Sequence, residues 1–155
     1  MRKTMKWLVT IVFIAVLLYC VQAFADQSGT CGPNAYWTLN EDTGELFITG
    51  TGRMNNSPWS INGAYCNSII SVKIEDGITS ICENAFQVCR YMTDITIPKS
   101  VTSIGSRAFF GCERIKSITI PDGVTEIYSY TFYNCGNEDT AVYLPDNITG
   151  VTKDT

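Results

Sequence analysis

Four apolar-polar-apolar triplets recur along this chain at an almost constant interval: Val72-Lys73-Ile74, Ile95-Thr96-Ile97, Ile118-Thr119-Ile120 and Val142-Tyr143-Leu144. Their third members lie 23, 23 and 24 residues apart. Two further apolar columns keep the same register, Ile78/Val101/Val124/Ile148 and Ile81/Ile104/Ile127/Val151. Ala85-Phe86, Ala108-Phe109 and Thr131-Phe132 follow, each with a cysteine three residues after the Phe: Cys89, Cys112 and Cys135. A fixed period in the twenties specifies a solenoid, in which no unit buries its own apolar edge and stability comes from stacked neighbours.

One coil can be read residue by residue. The triplet is a short strand with two side chains inward and one outward. Pro98, Pro121 and Pro145 end it, because proline has no N–H for a ladder. Gly77 and Gly123, with Ser100 and Asn147 in the same column, turn the chain. The Ala-Phe-x-x-Cys segment reads as a short helical or 3₁₀ turn, with Ala where coils crowd and Phe filling the space behind. Parallel stacking at ~4.8 Å places equivalent side chains above one another in ladders.

The run I-x-I-P-x-x-V-T-x-I-x-x-x-A-F-x-x-C, from Ile95 to Cys112, resembles the BspA-like family of leucine-rich-repeat surface proteins. The pattern S-G-T-C-G…W-T-L…G-x-L-x-I-x-G-T-G from Ser28 to Gly52 is similar to the lead-in found in that family. The fold expected is therefore a β-rich (α/β-type) leucine-rich-repeat solenoid of short parallel strands, about 23-residue repeats and an N-terminal β-hairpin cap. The resemblance implies adhesion to host, matrix or cell-surface proteins or glycans. It names no ligand, because repeat arrays host many partners.

Before the array, residues 1–25 have the layout of a secretory signal peptide: basic Arg2, Lys3 and Lys6, an apolar run from Trp7 to Val21, and an Ala23-Phe24-Ala25 cleavage site. The mature chain then begins at Asp26. An uncleaved membrane anchor is the rival, since the run approaches spanning length. Lipoprotein processing at Cys20 ranks last, because Tyr19 stands where a small residue is required. Cleavage leaves 8 of the 11 Lys and Arg against 15 Asp and Glu, a formal charge of −7. That balance argues against nucleic acid and anionic membranes as partners, and no membrane insertion is expected after cleavage.

Residues 26–68 form the cap and 69–155 the solenoid. Asp26 to Thr30 reads as a short linker. Ala35 to Leu39 and Glu45 to Thr49 alternate in polarity around a Gly-containing turn, as a β-hairpin does. Tyr36, Trp37 and Trp59 fit either a terminal cap or an aromatic ligand site, and the cap is preferred because an open solenoid end must be covered. At the other end Thr155 falls where Ala108 stands in its coil, so the Phe-x-x-Cys turn of the last repeat is missing. That reads as a truncated gene product or a frayed last coil.

The chain has no histidine, which removes His-dependent hydrolysis and most zinc sites. No phosphate-binding glycine motif occurs, and no cofactor is expected. Glu41-Asp42, Glu75-Asp76 and Asp122 fall in turns or at strand exits, where carboxylates are ordinarily solvated. Catalysis is therefore not expected. Asn55-Asn56-Ser57 and Asn147-Ile148-Thr149 are glycosylation sequons, relevant only in a eukaryotic secretory pathway.

Of seven cysteines, six remain after cleavage. Cys89, Cys112 and Cys135 share one column and read as buried, unpaired fillers, since parallel side chains make poor bridge geometry. Cys82 replaces the small residue seen at Gly105 and falls near the first coil's edge. Cys31 and Cys66, both assigned to the cap, are the expected disulfide. The expected ligand face is the outward column Lys73, Thr96, Thr119 and Tyr143, flanked by Ser71, Asp94, Ser117 and Ala141. A structural spacer, or the N-terminal part of a larger surface protein, is the alternative role.

Overall fold

The computed structural model describes residues 26–60 and 65–152; the signal segment, Cys20 and Thr155 lie outside the described residues. The described residues form a succession of short strands: β1 (Gln27–Thr30), β2 (Ala35–Asn40), β3 (Glu45–Gly50), β4 (Gly52–Arg53), β5 (Ser71–Ile74), β6 (Ile78–Ile81), β7 (Asp94–Thr96), β8 (Ser103–Ile104), β9 (Ser117–Thr119), β10 (Glu126–Ile127), β11 (Ala141–Tyr143) and β12 (Gly150–Val151). The main sheet runs β1-β2-β3-β5-β7, and β9 and β11 continue beyond it as a parallel pair. A second parallel stack, β4-β6-β8 and then β10-β12, forms the next side of each coil. This is a leucine-rich-repeat solenoid of about four turns.

The hairpin of β2 and β3 pairs Ala35 with Gly50 through to Asn40 with Glu45. It is not a separate lid. β3 runs parallel to β5, with Leu46 opposite Val72 and Ile48 opposite Ile74, so residues 45–70 make an irregular first coil. The expected linker is also a strand: β1 pairs antiparallel with β2, Gln27 opposite Leu39 through to Thr30 opposite Tyr36. Its side chains are polar because it is the sheet's outer edge, so hydrophobic alternation could not reveal it. Gly29 lies opposite Trp37, where a Cβ would come within 2.9 Å of the indole Nε1.

Inside the coils the columns become ladders. Leu46, Ile48, Val72, Ile74, Ile78, Ile81, Val101, Ile104, Ile118, Ile120, Val124 and Ile127 are all buried. Behind them runs an aromatic spine. Trp37 meets Trp59 edge-on at 5.8 Å, and Trp59, Phe86, Phe109 and Phe132 stack at 5.9, 5.6 and 5.6 Å between centroids. The interplanar angle falls from 23° to 9° to 5° along that stack, so the rings become nearly parallel as the repeat becomes regular. Trp59 Nε1 donates to Ala85 O at 2.8 Å, which satisfies the one polar atom that a buried Trp carries. At the turn column, Ser100 Oγ donates to Ile78 O at 2.7 Å and Asn147 Nδ2 to Asp122 O at 2.8 Å, each tying its coil to the one before.

The Ala-Phe-x-x-Cys segment is not a helix. Among the described residues the one helical element is a 3₁₀ turn at Cys66–Ser68. The reason lies in two left-handed positions per coil. Asn84, Arg107 and Tyr130 have φ of 56°, 55° and 59°, and Val88, Gly111 and Asn134 have φ of 61°, 70° and 51°. These reversals aim alternate N–H groups at the next coil. Asn84, Phe86 and Val88 donate to Ser106, Ala108 and Phe110 oxygens at 3.0, 2.8 and 2.7 Å. Gln87 and Cys89 instead close local turns to Asn84 and Phe86, both at 3.1 Å. A helix would spend every N–H within its own coil; here half of them join coils.

Candidate binding face

Alternation along each short strand sends one set of side chains into the core and the other to solvent. Lys73, Thr96, Thr119 and Tyr143 are all exposed. Lys73 pairs with Thr96 and Thr119 with Tyr143, and a Lys116 N to Thr93 O bond of 3.1 Å leads from β7 into β9. The four therefore share one row across the sheet. Ser71 opposite Asp94, and Ser117 opposite Ala141, make the flanking row.

The row does not stop at the solenoid. Phe47 lies opposite Lys73 and Thr38 opposite Phe47, and Phe47 is half-buried on the same side of the sheet. Treating residues 26–68 as a cap hid Phe47 and Thr38. Their signal was available, since Leu46-Phe47-Ile48 is itself an apolar-x-apolar triplet, but its spacing to Ile74 is not the repeat's. Tyr36, 50% exposed on β2, adds a second aromatic at that end. Trp37 and Trp59 belong to the core, at 5% and 0% exposure. A cleft of about 260 Å³ opens beside Thr119, lined by Ile97, Lys99, Ile120, Pro121, Asp122 and Gly123. It joins the exposed row to the strand exits.

The cysteines differ from the expectation in a specific way. Cys66 bonds to Cys89, with Cα atoms 4.9 Å apart, and Cys31 is a buried thiol. The expected Cys31–Cys66 bridge is thus corrected, as is the reading of Cys89 as unpaired. Cys66 precedes Cys89 by 23 residues, so it is the first member of the ladder column rather than a cap residue. Cys66-x-x-Ile69, Cys89-x-x-Met92 and Cys112-x-x-Ile115 are one motif in three copies, and Ile69, Met92 and Ile115 are all buried. Equivalent Cα atoms on adjacent coils stand within bridging range, which outweighed the parallel departure of their side chains. Burial pushes the Cys31 thiol up to about 11, with neighbouring Cys82 adding to the effect, and it also raises Cys82.

Short parallel strands, an aromatic spine and an exposed strand face define a leucine-rich-repeat solenoid. The chain belongs to the family described as BspA type leucine rich repeat region (6 copies), which matches residues 64–155. It is similar to a leucine-rich repeat protein from Eubacterium ventriosum of known crystal structure, at 30% identity and a TM-score of 0.61. That match covers 83% of this chain and 40% of the other, so this chain spans less than half the length of that relative. A leucine rich cell surface protein from Faecalibacterium prausnitzii shares 25% identity over 83% of this chain and 45% of its own, with a TM-score of 0.41. A leucine-rich repeat protein from T. pallidum shares 19% identity over 74% and 77%, with a TM-score of 0.40. No curated protein matches the chain.

Proposed function

We propose that this is a secreted or surface-displayed, non-catalytic binding protein that engages a host, matrix or cell-surface protein or glycan through its strand face. One observation carries the reading: Thr38, Phe47, Lys73, Thr96, Thr119 and Tyr143 form one row across the strands, with aromatic Phe47 near one end and Tyr143 at the other. Aromatics at the ends supply contact area, while the small hydroxyls between them leave room for a partner to approach. Secretion rests on the basic, apolar and A-x-A segments of residues 1–25.

The test changes the middle of the row and leaves the core alone. Thr96→Glu with Thr119→Glu should keep the thermal melt and reduce binding to immobilised matrix proteins or cells at least tenfold. Retained binding would move the site off this face. A spacer role, in which the array holds other modules away from a surface, is favoured by a different observation: successive coils are tied to one another through backbone groups, as in Phe86 N to Ala108 O at 2.8 Å and Phe109 N to Thr131 O at 3.0 Å. Absence of binding by the parent protein to any such target would favour that second reading.

A further inference from the structure

The ladder column holds four cysteines, Cys66, Cys89, Cys112 and Cys135, at an unbroken spacing of 23 residues. Cys66 and Cys89 are joined, while Cys112 and Cys135 stand as thiols in the next two coils. We propose that in an oxidising compartment Cys112 and Cys135 close a second coil-to-coil disulfide, one step further along the column.

Geometry supplies the first argument. The existing bridge shows that adjacent coils bring this column's Cα atoms to 4.9 Å, inside the range a disulfide spans. The same two-coil relation holds for Cys112 and Cys135, and their backbones are clamped on both sides. Gly111 N donates to Tyr133 O at 2.9 Å, and Gly136 N donates to Cys112 O at 2.8 Å. Parity supplies the second. With Cys89 already committed, Cys135 is the remaining column neighbour of Cys112, and pairing from the N-terminal end leaves none over. Little is lost on bridging: Cys112 Sγ gives up one hydrogen bond to Phe86 O at 3.1 Å, and a thiol is a weak donor.

The chemistry is a thiol–disulfide exchange with an external disulfide as the two-electron oxidant. Cys135, half-buried, attacks that disulfide as a thiolate and expels one donor thiol, forming a mixed disulfide. The buried Cys112 then loses its proton and attacks Cys135 Sγ, expelling the second donor thiol. Two protons and two electrons have left the protein, and the donor has become two thiols. Burial holds the Cys135 thiol up at about 12 and Cys112 higher still, so the attacking thiolate is scarce at neutral pH. Closure should therefore accelerate about tenfold per pH unit between roughly pH 7 and 9.

The experiment supplies the oxidant directly and so does not depend on the binding or secretion readings. Protein from Asp26 onward is equilibrated with oxidised and reduced glutathione, alkylated, and digested with trypsin without reduction. The Ala108–Arg114 peptide should appear linked to the peptide beginning at Ser117. Linkage of Met54–Lys73 to Ile74–Arg90, with fragmentation placing the link on Cys89 and the alkyl group on Cys82, reports the Cys66–Cys89 bridge and serves as an internal control for the native fold. Cys135→Ser should free Cys112 for alkylation once the protein is unfolded, with the control linkage unchanged. Alkylation of both Cys112 and Cys135 while the control peptides stay linked would overturn the proposal, as would linkage of either to any other cysteine.

Discussion

Phe109→Ala cuts the aromatic spine at its most regular point, and the structure sets the size of the effect. The ring is fully buried and stacks on Phe86 and Phe132 at 5.6 Å on both sides. Truncating a buried Phe costs about 3–5 kcal/mol in lost transfer energy and cavity. The loss of two ring pairs, each about 0.5–1.5 kcal/mol, places this site at the upper end of that range. Collapse is a poor remedy, because Phe109 N is held to Thr131 O at 3.0 Å and Phe86 N to Ala108 O at 2.8 Å. A loss of about 4 kcal/mol corresponds to a melting temperature lower by roughly 8–16 °C for a chain of this size. Phe132→Ala is the matched control. Phe132 is half-buried and has a spine neighbour on one side among the described residues, so its truncation should cost about 1–2 kcal/mol less. Urea unfolding of the two variants and the parent, read by circular dichroism, gives the comparison directly. Equal losses, or a Phe109 loss below about 1.5 kcal/mol, would refute the claim that ring stacking between coils dominates this core.

Two glycines one coil side apart should fail for opposite reasons. A Cβ on Gly105 would sit 2.5 Å from Glu83 N and 2.7 Å from its Cα, both backbone atoms of the preceding coil. Gly105→Ala should therefore lower stability by about 1–3 kcal/mol, and Gly105→Ser should be no better. Gly111 has room, its nearest neighbour being Val88 Cγ2 at 3.6 Å, but its φ is +70°. Gly111→Ala should cost only the backbone penalty of about 1–2 kcal/mol, and Gly111→Asn should recover part of it, as Asn134 already does in the next coil. Denaturant midpoints check all four; recovery by Ser at 105, or none by Asn at 111, would contradict the assignment of steric and conformational causes.

The coil and its core were legible before any coordinates, because a ladder needs the same residue type at the same interval and a ladder of buried side chains admits few types. The columns of Ile74, Ile78, Ile81, Ala85 and Phe86 therefore announce strand, turn and spine in the order in which they occur in space. The outward row Lys73, Thr96, Thr119 and Tyr143 followed from strand alternation, which is local. What stayed hidden is what repetition cannot mark. β1 is polar because it borders solvent, and it is a strand only because β2 offers it an edge. Phe47 enters the exposed row only when β3 is seen to pair with β5, a contact whose interval departs from the repeat. The turn behind Phe86 looked helical, yet Val88 takes a left-handed backbone that its own side chain disfavours; hydrogen bonds to the next coil hold it there. Cys66 and Cys89 carried their register in the sequence, but the choice between thiol and bridge depended on Cα atoms 4.9 Å apart. Periodicity determined what stacks on what, and only the packed coils decided which backbone groups, rings and sulfurs meet.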